Sequence, residues 1–414
     1  MSKRYDAIVV GARCAGSPTA MLLARAGHRV LLVDRATFPS DTVSTHVLHP
    51  SGVAALSRWG LLERLVATGC PPMHTYTFDF GPFTLSGAPG TEGFPVAYCP
   101  RRTVLDELLV AAAADARAEV REGFTVEELL FEDGRVAGIK GRSKGGEVVA
   151  ERAKVVVGAD GRKSLVAAAV QAEQYNERPP LLVGYYTYWS GLPMEGRFEN
   201  YLRPHRAFGA APTHDGLTLV IVMWPHAEFE ANKKDVVGNY LKALELAPRF
   251  AERIHRAKRE ARFACAAVPN FFRKPYGPGW ALVGDAGYNK DPITAQAITD
   301  AFRDGERCAV ALDEAFSGAR SFDDAMSDHQ RARDEHVLPM FEFTCGVARL
   351  EPPSTELQQL LAAAAGNQQA MNRLAQMNAG TISPAEFFSP ESVRAIMSAA
   401  RAAHHGSSDL QPSR

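Results

Sequence analysis

Gly11, Gly16 and Asp34 have the types and spacing needed to hold the phosphates and ribose of a dinucleotide. Gly11 and Gly16 bracket the turn Gly11-Ala12-Arg13-Cys14-Ala15-Gly16. The turn follows a β-branched apolar run, Asp6–Val10. It precedes Pro18–Ala26, whose small apolar residues recur at helical spacing. Val30–Val33 reads as a second buried strand, and Asp34 follows it directly, 23 residues after Gly11. In such a strand–turn–helix–strand unit the turn amides and the helix start face a pyrophosphate, and an acid about 20 residues on accepts hydrogen bonds from ribose hydroxyls. The bland alternative is a purely structural turn. Arg13 stands where the pattern asks for its second glycine, and there it either caps the phosphates by charge or obstructs them. Asp34 favours a ribose without a 2′-phosphate, and Arg35 beside it blurs that choice for a nicotinamide.

Two further acid-bearing turns follow strand-like runs. Asp160-Gly161 comes after "KVVVGA", with Ser164 three residues later. Gly284-Asp285-Ala286 comes after "WALV", and Pro292 and Asp300-Ala301 follow it. Asp285 ends its strand where a carboxylate can receive a hydroxyl; the bland alternative is an aspartate capping a turn.

Composition narrows the classes. The chain has 414 residues, enough for two domains, with 46 Lys plus Arg against 47 Asp plus Glu. That balance offers no field to attract nucleic acid or an anionic membrane. No run of 18 apolar residues is present to span a bilayer. The first strand begins too early to leave room for a signal peptide. Cysteines 14, 70, 99, 265, 308 and 345 are scattered without a C-x-x-C, so neither a metal site nor a disulfide framework is expected and a cytoplasmic setting fits.

The elements that must position these residues are legible as patterns. Residues 51–70 read as a helix, 76–85 as a strand, and "GAPGTEG" (87–93) as a hairpin loop. Residues 101–116 form an amphipathic helix. Residues 118–142 read as a β-meander with turns at Asp133-Gly134 and near Gly141. From Leu181 to Trp224 aromatic and β-branched residues predict a mainly antiparallel sheet. Ala297–Ala315 reads as a helix and 321–403 as helical, with a break at 351–354. The last ten residues read as disordered.

In this order and spacing the three turns resemble those of the FAD-dependent aromatic hydroxylases, the single-component group A flavin monooxygenases with a p-hydroxybenzoate hydroxylase fold. The chain is also similar to geranylgeranyl reductases and flavin halogenases of the same superfamily, over most of residues 1–320. The resemblance implies an α/β fold: a Rossmann-like FAD-binding domain (1–75, 95–175 and 275–320), an inserted mainly antiparallel substrate domain (76–94 and 176–274), and a C-terminal helical region (321–414) with a disordered tail.

The resemblance also implies a cofactor site. FAD would lie on Gly11, Arg13, Cys14, Ala15 and Gly16. Asp34 and Arg35 would meet its adenosine half, Val126 its adenine and Arg102 its phosphates; Arg101 is an equal candidate by charge alone. Thr45 belongs to the loop 41–50 that passes the flavin. Asp160 and Gly161 would touch FAD and the pyridine nucleotide, Gly284 and Asp285 the ribityl chain, and Pro292, Ala295, Gln296 and Ala297 the flavin ring. Ala295 and Ala297 replace glycines that the family prefers, and Ala167 replaces its closing arginine. His46 and Pro292 are the weak catalytic candidates. Tyr186, Tyr188, His205, His214 and Trp224 are candidates for the substrate wall. The expected reaction uses NADH or NADPH and O₂ to hydroxylate or epoxidise an aromatic or polyketide-like small molecule. A reductase of the geranylgeranyl reductase type is the runner-up. A halogenase, which would want W-x-W-x-I-P, and a non-catalytic flavin sensor rank lower. Oligomeric state is left open.

Overall fold

The structure, a computed structural model, describes residues 4–408, with side chains through residue 402. The chain opens with β1 (Tyr5–Val10), α1 (Gly16–Arg25) and β2 (Val30–Asp34). α2 (Pro50–Arg58), α3 (Leu62–Ala67), β3 (Thr75–Asp79), β4 (Thr84–Gly87) and α4 (Arg102–Asp115) follow. Next come β5 (Glu119–Glu122), β6 (Thr125–Glu132), β7 (Arg135–Arg142), β8 (Val148–Gly158) and α5 (Leu165–Ala169). The middle of the chain holds β9 (Leu182–Ser190), β10 (Arg197–Arg203), β11 (Arg206–Pro212), β12 (Thr218–Pro225), α6 (Val236–Leu244) and α7 (Pro248–Arg256). β13 (Trp280–Leu282), α8 (Ala297–Phe316), α9 (Phe322–Val347), α10 (Thr355–Ala364), α11 (Gln368–Ala379) and α12 (Pro390–Ser408) complete the fold.

Two sheets organise these elements. In the first, β13, β8, β1, β2 and β5 lie side by side and parallel. The central strands are apolar on both faces because helices cover one and the β6–β7 hairpin with α5 covers the other. Ala7, Val9 and Leu32 pack with α1, α4 and α8, while Ile8, Leu31 and Val33 pack with Phe124 and Ile139 under β6 and β7. In the second sheet, β9, β12, β11 and β10 run antiparallel and β10 then pairs parallel with β3. Strand alternation divides its faces. Val183, Phe208, Val222 and Trp224 pack against α6 and α7. The other face looks toward the first sheet and the C-terminal helices.

Several sequence expectations are corrected. The helix expected over 51–70 is two helices, because the chain turns at Trp59-Gly60, with Gly60 at φ 72°. The single strand expected over 76–85 is the hairpin β3–β4, closed by a Phe80 amide to Phe83 carbonyl bond of 3.0 Å. One hairpin turn is therefore at 80–83, and "GAPGTEG" ends in a second, isolated reversal at Glu92-Gly93, where the Thr91 and Phe94 amides and carbonyls bond reciprocally at 3.3 and 3.2 Å. β5 leaves the expected meander to pair parallel with β2, since its edge position there satisfies the open side of that strand. The second meander turn lies at 143–147, and Gly141 sits inside β7. In the tail expected to be disordered, α12 continues to Ser408, and 409–414 lie outside the described residues.

Candidate cofactor and substrate site

A cavity of about 840 Å³ runs along the C-terminal ends of β1, β2, β8 and β13 and reaches across to the second sheet. Ligands of open parallel sheets sit outside these strand ends, where backbone amides and helix starts converge. Gly11, at φ 104°, makes the turn possible: a Cβ there would lie 2.4 Å from the Ala159 carbonyl oxygen. Gly16 is needed for packing, since its Cβ would meet the Gly11 carbonyl at 1.8 Å. Gly16 itself does not line the cavity. α1 opens without a side-chain cap; the Ser17 amide donates to the Arg13 carbonyl and Pro18 has no N–H, so it is the amides of the preceding turn, Arg13 to Gly16, that no backbone carbonyl takes and that suit an anion.

Asp34 closes one end. Its carboxylate accepts the Ala12 amide at 2.7 Å and the Ala36 amide at 2.8 Å, which fixes the turn and the chain after β2 together. Arg35 and Val126 line the cavity beside it. In the middle, Arg13 neither fills nor blocks the space in front of the turn. Its guanidinium is held by Asp106 (2.5 Å) and the Ser40 hydroxyl (3.0 Å). Arg102, itself buried, donates to the same carboxylate at 2.9 and 3.0 Å. The Cys14 thiol donates to it at 3.4 Å, and burial pushes that thiol up. Arg101 turns away, toward Asp215 and the Tyr188 ring. Asp160 lines the cavity with Gly161, but its carboxylate is spent on the Leu165 amide (2.7 Å) and the Ser164 hydroxyl at the start of α5.

At the far end, Gly284 and Asp285 form a single helical turn after β13. Burial raises the Asp285 carboxyl, and Arg102 and Lys290 pull it partway back. Pro292 and Ala295 line the cavity. Ala295 is left-handed at φ 54°, a conformation L-residues adopt at a cost. Ala297 begins α8 and is exposed toward the cavity. Gln296 does not line the cavity; its amide donates to the Asn378 carbonyl at 2.6 Å and braces the loop against α11.

Tyr186 and Thr45 line the cavity from the other side. Behind Tyr186, and outside the cavity wall, sit His46 and Tyr188. The His46 Nδ1–H donates to the Ser44 carbonyl at 2.7 Å, so Nε2 accepts from the Tyr188 hydroxyl at 2.8 Å. Burial lowers the imidazole to about 4. The remaining substrate candidates are corrected. Trp224 pairs across from Val183 and shares its face, in the core over α6 and α7. His205 is exposed in the β10–β11 turn, at φ 58°. His214 is tied to Thr68 and the Arg101 amide.

The sequence reading missed four buried charged groups. Asp106 lies four residues after Arg102 on one helix face, a spacing that signals a pair. Lys290 is buried, ion-paired with Asp300 and bonded to the Tyr288 hydroxyl at 2.7 Å. Asp291 shares reciprocal bonds with Asn270. Asp304, four residues after Asp300 on α8, accepts the Gly284 amide at 2.8 Å. Among the described residues no cluster of three or more metal-ligating side chains occurs, and no helix is long and apolar enough to cross a membrane.

The family described as FAD binding domain matches residues 4–239. The chain belongs to this FAD-binding family. It is similar to the 6-methylpretetramide 4-monooxygenase of Streptomyces rimosus, 27% identical over 80% of this chain and 81% of that protein. It is also similar to the tryptophan 2-halogenase of Chondromyces crocatus, 24% identical over 80% of this chain, which spans 65% of that protein. Its fold is that of the myxobacterial chondrochloren halogenase, an FAD-dependent halogenase, with a TM-score of 0.79, 24% identity, and coverage of 100% of this chain and 98% of that one. The flavoprotein is an FAD-dependent oxidoreductase, and the chain's own features fit that cofactor. The glycine cradle, uncapped α1, buried Arg102 and a cavity of this volume suit an extended, doubly phosphorylated ligand.

Proposed function

We propose that this flavoprotein is an NAD(P)H-dependent monooxygenase acting on an aromatic or polyketide-like small molecule. The observation that carries the reading is the place where the cavity ends. Its flavin end lies between the start of α8 and an aromatic sheet face, at Ala297, Tyr186 and Ile221. The likeness to a pretetramide monooxygenase supports the same reading. Bound FAD would supply hydride acceptance from a nicotinamide and activation of O₂.

The chain supplies positioning, charge and dryness. Asp34 would hold the adenosine ribose, the Gly11–Gly16 turn and the start of α1 the pyrophosphate, with the charge of Arg102 beside it, and Asp285 would accept a ribityl hydroxyl. The start of α8, whose Ala297 lines the cavity, would turn its positive end toward a bound ring and favour negative charge on reduced flavin by about 1 kcal/mol. That amount tunes the flavin but does not choose among oxygenase, reductase and oxidase chemistry. Tyr186, backed by the neutral His46–Tyr188 pair, keeps the ring's far side apolar and excludes water.

The deciding experiment follows NAD(P)H oxidation and O₂ uptake by purified yellow protein with a panel of phenols. Coupled uptake with a hydroxylated product is expected. A reduced product formed without O₂ would replace this reading with the reductase one. A brominated product in the presence of bromide would replace it with the halogenase one.

A further inference from the structure

Two fully buried histidines three residues apart, His46 and His49, make the same pair of contacts. Each turns one ring nitrogen to a backbone carbonyl and the other to a tyrosine hydroxyl. His46 meets the Ser44 carbonyl at 2.7 Å and the Tyr188 hydroxyl at 2.8 Å. His49 meets the Thr294 carbonyl at 3.1 Å and the Tyr76 hydroxyl at 2.7 Å. A carbonyl only accepts, so the nitrogen facing it carries the hydrogen and the second nitrogen accepts from the tyrosine. Both imidazoles are therefore neutral, and burial favours that form.

The two tied carbonyls belong to different walls of the cavity. Ser44 and Thr45 line it from one segment, and Pro292, Ala295 and Ala297 from the other. Thr45, Pro292 and Ala295 also line a narrow gap beyond it, where the walls close on each other. Each wall holds one left-handed residue at its tie, His46 at φ 64° and Ala295 at φ 54°. Such backbone persists where its surroundings over-determine it. The tyrosines stand far apart in the second sheet, Tyr188 on β9 and Tyr76 on β3, with β12, β11 and β10 between them.

We propose that His46 and His49 are positioning residues for a bound flavin: each takes the place of a second-sheet strand from a tyrosine hydroxyl and sets one cavity wall through a carbonyl, so the spacing of the walls is fixed before FAD enters. This rests on FAD filling the cavity and not on the monooxygenase reading. Neither histidine lines the cavity, so both act through the backbone of Ser44 and Thr294 and neither touches the ligand. A wall fixed in advance lowers the ordering cost of binding. Losing a tyrosine hydroxyl leaves a buried ring nitrogen without its donor and releases the wall that the histidine held.

The test reads FAD affinity by fluorescence quenching, together with the shape of the bound flavin's visible band. Tyr76→Phe and Tyr188→Phe each remove one hydroxyl and keep the ring. Each should weaken FAD about threefold or more and alter the band. The two tyrosines share no hydrogen-bond partner, so their effects on unfolding free energy should add. Their effects on FAD should not. Once one wall is loose the second tie holds less, so the double variant should lose less affinity than the product of the two single losses. His49→Gln offers an N–H to Thr294 and an oxygen to Tyr76, so its Kd should stay within about twofold, whereas His49→Leu should lose about tenfold or more. Unchanged affinity and band in both tyrosine variants, with only the melts lowered, makes the ties purely structural and overturns the proposal. So does an equal loss in His49→Gln and His49→Leu, or a fully multiplicative loss in the double variant. A wild type that stays colourless with FAD overturns it together with the cofactor reading, whereas a reduced or brominated product overturns only the monooxygenase reading.

Discussion

The Asp304 carboxylate accepts the Gly284 amide at 2.8 Å and so ties the second turn of α8 to the turn that carries Asp285. His329 from α9 lies 3.5 Å from its other oxygen, and neither ring nitrogen of that histidine has a hydrogen-bond partner. Burial raises the Asp304 carboxyl from 3.8 to about 6, with Arg333 and Arg307 opposing and Asp300 assisting. The folded state therefore holds this proton more tightly than the unfolded chain. The resulting stability is present below about pH 4 and is lost as the pH rises through 6. Asp304→Asn is neutral at every pH. The melting temperature of the wild type relative to this variant should fall between pH 4 and 6, and a constant difference would contradict the assignment. Asp304→Ala should also weaken FAD binding, by releasing the turn.

His46 and His49 titrate the other way. Burial lowers both from 6.5 to about 4. His49 is held neutral between the Tyr76 hydroxyl (2.7 Å) and the Thr294 carbonyl (3.1 Å). A depressed histidine contributes stability above pH 6.5 that is lost as the pH falls toward 4. Thermal melts across this window should show a steep acid decline, flattened in His46→Gln and in His49→Gln. Neither histidine should contribute a step to a flavin spectral titration between pH 6.5 and 8.

Ala295 holds φ 54° in the loop 292–297 that lines the cavity. Left-handed backbone costs an L-residue about 1–2 kcal/mol, and glycine returns part of that gain as unfolded-state entropy. Ala295→Gly should stabilise the protein by about 0.5–1 kcal/mol in denaturant melts and shift the flavin absorbance. Ala297 is helical and carries no such strain, so Ala297→Gly should destabilise slightly.

Asp106 joins Arg13 to Arg102 from a fully buried position. Asp106→Asn leaves two guanidiniums with a weaker partner and frees Arg13 from its tether. FAD affinity, read by fluorescence quenching, should drop at least about tenfold. Arg13→Gly should weaken FAD as well, because the arginine ties the loop at Ser40 to α4 instead of blocking the turn. An unchanged or tighter Kd in Arg13→Gly would restore the obstruction reading.

Asp285→Ala removes a half-buried, cavity-lining carboxylate from the turn after β13. A hydrogen bond to a charged group contributes roughly 1.5–3 kcal/mol, so FAD should bind about one to two decades more weakly. The same measurement on Asp34→Ala should show a smaller loss together with lower stability, since Asp34 also holds the Ala12 and Ala36 amides.

The sequence by itself determined the strand–turn–helix frame, the acid that ends β2 and the one in the turn just after β13, the aromatic sheet and the α/β class. These depend on local period, on glycines that only one backbone shape allows, and on short spacings along the chain. Only the tertiary structure decided which side of each strand faces the ligand. Tyr186 and Trp224 looked equivalent as aromatic residues in strands, but the register sets Tyr186 opposite Ile221 at the cavity and Trp224 opposite Val183 in the core. It also decided the fate of Arg13, whose partner Asp106 is 93 residues away. Gln296, next to the flavin loop in sequence, was drawn to Asn378 by a helix that no local pattern places there. Long-range pairing is set by which faces and charges must be buried together, and that is a property of the packed chain and not of any one window of it.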